Sequence, residues 1–132
     1  MIHSRRIVLI SFSCLVVSAA AIAQVNREPP PDAKRFVLFI HGGAQASKPP
    51  EDLTSRIALT LARRGYVVKS PEKDLDEVGG PGVDYFHTED RVAAQDIADT
   101  VNSILPSEMN KLPVRLQRIT NPSGYIGVWL YK

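Results

Sequence analysis

The chain has 132 residues, of which 44% are hydrophobic and 23% charged, with a formal net charge of +2 and one cysteine. That length and balance describe one ordinary globular domain. They exclude a disulfide scaffold, a collagen-like repeat, a polybasic nucleic-acid arm and a polytopic membrane protein.

The N-terminus reads as an export signal. Arg5 and Arg6 form a basic start, Ile7 to Val17 an apolar stretch, and Ala21-Ile22-Ala23 a small-x-small cleavage pattern before Gln24. The apolar stretch falls short of the ~20 residues a membrane-spanning helix needs. An uncleaved anchor running on through Ala23 is the alternative, and membrane association is expected only in that case. Ser4-Arg5-Arg6-Ile7-Val8-Leu9 is loosely similar to a twin-arginine signal, with the general secretory route favoured. Residues 1–23 are thus expected to be a signal peptide, and the protein periplasmic or secreted. Their removal takes two arginines and no acid, leaving basic and acidic residues equal in number. A neutral surface gives no electrostatic case for nucleic acid. Cys14 lies within the apolar stretch, so the processed chain lacks any cysteine for disulfides, thiolate metal sites or nucleophilic catalysis.

Residues 24–34, with Pro29-Pro30-Pro31, read as a proline-rich linker or extended arm ahead of a domain at 35–132. Phe36 to Ile40 is a short apolar strand ending at His41-Gly42-Gly43. Glu51 and Asp52 suit a helix start. Leu53, Ile57 and Leu61 recur with helical spacing, and Gly65 is placed to cap the end. Tyr66 to Lys69 follows as a second strand. Pro71 to Gly82 is an acidic, glycine-rich loop. Val83 to His87 makes a third strand, with Thr88 as a plausible cap for a helix reaching Leu105. Its stripe is Ala93/Ala94, Ile97, Val101 and Ile104/Leu105, and Pro106 stops it. Val114 to Ile119 and Tyr125 to Tyr131 are two final strands, joined by Asn121-Pro122-Ser123-Gly124.

The order β-α-β-β-α-β-β predicts an α+β fold. The expected architecture is a two-layer sandwich, ferredoxin-like βαββαβ with an extra C-terminal strand. Two helices would cover one face of a mixed sheet. The third strand would lie between the first two, and the last hairpin would add an edge strand.

Several patterns invite a chemical reading. Phe39-Ile40-His41-Gly42-Gly43 is similar to the oxyanion segment of esterases. No Gly-x-Ser-x-Gly accompanies it, and Ser47, Ser55 and Ser70 lack a nucleophile-elbow context. A small hydrolase using His41 or His87 is therefore an alternative without a nucleophile. His41 and His87 with Asp84, Glu89 and Asp90 could suggest zinc or copper. Antiparallel strands would hold the two imidazoles at opposite ends of the sheet, so no metal or cofactor is expected. Asp74, Asp76 and Glu77 lack the ligand order of a calcium loop. Gly79-Gly80-Pro81-Gly82 enters a strand and cannot form a P-loop.

The last strand is the best candidate surface. Alternation places Ile126, Val128 and Leu130 toward the helices. Tyr125, Gly127, Trp129 and Tyr131 fall on the other face. Tyr125, Trp129 and Tyr131 are therefore the candidate ligand-binding residues, aromatic rings with polar tips on a helix-free side. The competing reading is sheet cover and cross-strand pairing.

The strand Phe36–His41, Arg63-Arg64-Gly65-Tyr66-Val67-Val68, the segment Val83 to Asp90 and Gly127-Val128-Trp129-Leu130 together resemble small bacterial cell-envelope domains of the LytR C-terminal type. The resemblance covers most of residues 36–131. It implies a β/α envelope module with a binding or interaction role and no catalytic residue. The expected function is a non-enzymatic, envelope-associated binding domain, its partner a cell-wall polymer or an envelope protein. A module that self-associates through an edge strand is a further alternative.

Overall fold

A computed structural model of the chain describes residues 28–41, 51–69 and 80–130. The expected signal peptide, Gly42-Gly43, the acidic residues Asp74, Asp76 and Glu77, and Tyr131 lie outside them. Five strands alternate with two helices: β1 Val37–His41, α1 Glu51–Arg63, β2 Val67–Lys69, β3 Gly82–Tyr85, α2 Arg91–Ile104, β4 Val114–Leu116 and β5 Tyr125–Trp129. The fold is α+β, with both helices packed against one mixed sheet and against each other. Among the described residues, no helix is long and apolar enough to cross a membrane.

The strand order is β2-β1-β5-β3-β4. β1 runs parallel to β2 and β5, β3 runs parallel to β4, and β3 is antiparallel to β5. This differs from the expected ferredoxin-like arrangement in two ways. The third strand does not lie between the first two, and β5 is the central strand, not an edge one. The β4–β5 hairpin is consequently absent. Side-chain chemistry explains the exchange. Ile126, Gly127 and Val128 are buried and suit a strand covered on both faces, whereas β4 carries Arg115 and the half-exposed Leu116.

The sheet therefore consists of two β-α-β units joined by β5. Right-handed crossovers from antiparallel β1 and β3 put both helices on the same face. The core between the layers is Leu38 and Ile40 from β1, Val83 and Tyr85 from β3, Ile126 and Val128 from β5, and the helix stripes through Ile57, Leu61, Ile97 and Val101. These stripes are the ones the helical spacing predicts. Gly65 does cap α1, with φ +94°.

Polar ties secure the helix layer. Arg64, just past α1, places Nη2 2.7 Å from Asp96 Oδ1 on α2, and Tyr66 donates to Asp96 Oδ2 at 2.6 Å. Burial and the adjacent Asp96 carboxylate hold the Tyr66 proton far above the usual phenol range. The N-terminal arm also joins the packed unit earlier than expected. Ala33, in a 3-10 turn over Ala33–Arg35, is part of the core although it falls within the expected linker.

Candidate functional site

The sheet face opposite the helices is built by alternation. Each inward residue of β1, β3 and β5 is followed by one that points the other way. Strand register then sets those outward residues side by side. Phe39 lies beside Gly127, Gly127 beside Asp84, and Asp84 beside Arg115. The next row is His41, Trp129 and Gly82.

Two aromatic pairs stand on this face. His41 stacks on Trp129, with ring centroids 3.7 Å apart and planes 9° from parallel. Phe39 meets Tyr125 edge to face at 5.5 Å and 77°. The stack is placed by sequence-distant strands that bring His41 and Trp129 into direct register. It is also enabled by a missing side chain. Trp129 Nε1 lies 3.0 Å from where a Cβ on Gly127 would stand, so the indole rests against a position only glycine leaves open.

The site residues expected from sequence fall as follows. Tyr125 and Trp129 share the helix-free face. Trp129 is 9% exposed, which corrects its expected role as an open ring. Alternation assigns its face, but the stack on His41 and the hollow at Gly127 fold the indole down. Among the described residues of this face, the accessible aromatic surface belongs to the half-buried Phe39 and Tyr125. Periodicity did not bring Phe39 into the site, although its alternation with Leu38 and Ile40 carries that signal.

A charged pair adjoins the rings. Arg115 Nε donates to the buried Asp84 Oδ1 at 2.7 Å, and its Nη2 donates to the Gly80 carbonyl at 2.6 Å. The guanidinium sits over Gly82, 2.7 Å from where a Cβ would be. Asp84 is therefore committed to an ion pair and is not grouped with a histidine. The sequence signal for this was an acid at the outward position of β3 and a base in β4, readable only once the two strands were known to pair.

His41 is 8% exposed, and its Nε2 has no hydrogen-bond partner among the described residues. Burial lowers its pKa to about 4, so the ring is neutral near pH 7. A neutral imidazole stacks on indole without desolvating a charge. His87 stands elsewhere. Its Nε2 donates to the Asn121 carbonyl at 2.6 Å, and it precedes the 3-10 turn Thr88–Asp90 that leads into α2. Because β1 and β3 run in opposite directions, His41 and His87 lie at opposite ends of the sheet, on the order of 15 Å apart by strand rise. General acid–base work shared between them is out of reach at that distance. Thr88 begins the 3-10 turn, and Asp90 takes the position before α2. Among the described residues no group of three or more His, Cys, Asp or Glu is arranged to hold a metal ion.

No family model, curated protein or solved structure matches this chain.

Proposed function

We propose that this is an exported, non-enzymatic binding domain of the bacterial envelope, engaging a cell-wall polymer or an envelope protein through its helix-free sheet face. The observation that carries the reading is the Phe39–Tyr125 pair, half-buried and set beside the His41–Trp129 stack. Aromatic side chains with a polar tip offer large contact area at small conformational cost. The packed stack and the Arg115–Asp84 pair form a firm floor under that surface. The N-terminal signal pattern supports export, and the resemblance to LytR C-terminal domains supports an envelope role.

Fractionation of the tagged protein, followed by sedimentation with purified cell wall, tests the proposal. Tyr125→Ala should release the protein from the pellet while leaving its circular dichroism spectrum unchanged. Cytoplasmic retention, or sedimentation indifferent to both Tyr125→Ala and Trp129→Ala, would overturn it.

A further inference from the structure

We propose that His41 is an acid-operated latch on the helix-free face: on taking up a proton its imidazole leaves the Trp129 stack, and the face releases its ligand. This rests on the binding reading above and adds its regulation. The geometry begins with an unpaired atom. Nε2 of the buried His41 meets no hydrogen-bond partner among the described residues. A proton arriving there would create a charged, buried N–H without an acceptor, which costs more than the neutral orphan. The ring therefore has to reach water to be charged. Burial accordingly holds the stacked ring at a pKa of about 4, against 6.5 in the open.

Among the described residues, no counter-ion stands by. The ionisable groups that the strands set on this face beside His41 are Lys69 of β2, Asp84 of β3, Arg115 of β4 and Tyr125 of β5. Asp84 is the one carboxylate among them, and Arg115 Nε holds it at 2.7 Å. The face thus offers an imidazolium two cations and no free acid.

The opening can be local. His41 is the last residue of β1, and its carbonyl accepts the Leu130 N–H at 3.0 Å, so the side chain can turn away while the backbone pairing holds. Trp129 then loses the ring stacked 3.7 Å from it. The indole edge lies over the hollow at Gly127, and Gly127 is the register neighbour of Phe39. A loosened indole therefore disturbs the adjoining Phe39–Tyr125 pair. The balance between open and stacked forms should move about tenfold per pH unit from 6.5 down to 4, about 300-fold in all.

Trp129 is the sole tryptophan of the chain, so its fluorescence reports on the stack directly. Its emission should shift to longer wavelength between pH 6.5 and 4 while the far-ultraviolet circular dichroism of the protein holds. His41→Phe, or His41→Gln should the first variant fail to fold, should remove the shift. Cell-wall sedimentation of the wild type should fall about tenfold or more between pH 7 and pH ~4.5, and that of the variant should not. The latch is overturned by an absent shift, by one that coincides with loss of the circular dichroism signal, or by one that both variants retain. Sedimentation that falls equally in wild type and variant overturns it too. Protein that stays in the supernatant at pH 7 refutes the binding reading instead, and the emission titration then judges His41 by itself.

Discussion

The buried carboxylate of Asp90 accepts the Gly124 N–H at 2.8 Å, tying the start of α2 to the turn that launches β5. Asp90 occupies the cap position of the helix, yet its side chain makes no cap bond there. Its other oxygen lies 3.5 Å from Arg35 Nη1. One side chain therefore joins the N-terminal arm, the second helix and the central strand.

Asp90→Ala should consequently destabilise the protein by about 2–3 kcal/mol, because it strands a buried N–H without an acceptor. Asp90→Asn, which retains an oxygen for that N–H, should cost less. Urea melts of the two variants beside the parent measure the difference. An alanine variant as stable as the parent would remove Asp90 from this role.

Gly124 should also be intolerant of substitution, to a smaller degree. Its φ is +85°, and a Cβ would approach the Arg35 carbonyl to 3.0 Å. Gly124→Ala should cost about 1–2 kcal/mol from the backbone conformation and crowding together, read as a drop in melting temperature.

The Asp96 carboxylate serves both Tyr66 and Arg64. Tyr66→Phe should cost about 1 kcal/mol, the net worth of one hydrogen bond. Asp96→Ala should cost about 2–4 kcal/mol, since it removes the acceptor from both partners. Equal effects of the two changes would mean that the ion pair contributes nothing.

Acid should loosen the stacked face through His41. Its pKa is about 4 in the folded chain against 6.5 for the free side chain, so the unfolded chain takes up the proton first. The associated stability is complete above pH ~6.5 and is lost as pH falls toward 4, by at most about 1.4 kcal/mol per pH unit. The stability of wild type relative to His41→Phe should therefore fall between pH 7 and pH 5, measured as the change in the difference of their melting temperatures. A gap that stays constant would show that His41 does not titrate on unfolding.

Much of the α+β layering was legible in advance, because it depends on local periodicity. The spacing of Leu53, Ile57 and Leu61 marks α1, and Gly65 marks its end. Alternation assigned Ile126 and Val128 to the core, and Tyr125 and Trp129 to the other face. Strand order was not legible, since it is decided by contacts between segments far apart in the chain. The run Tyr125 to Tyr131 looks the same whether it closes a hairpin at an edge or enters the centre. The candidate site suffers the same limit. His41 and Trp129 lie far apart in sequence, as do Asp84 and Arg115, and only the register of β1 with β5 and of β3 with β4 brings each pair into contact.

The central place of β5 has a consequence for the order of assembly. Among the described strands it alone touches both β-α-β units, and it follows every other element in the chain. The two halves can form their local parallel pairs early, but neither shares a sheet with the other until Trp129 has been synthesised. Closure is thus a late, long-range event of the kind that slows folding. A chain whose sheet closes only with its last strand stays open through most of its synthesis, the state that the proposed export would require.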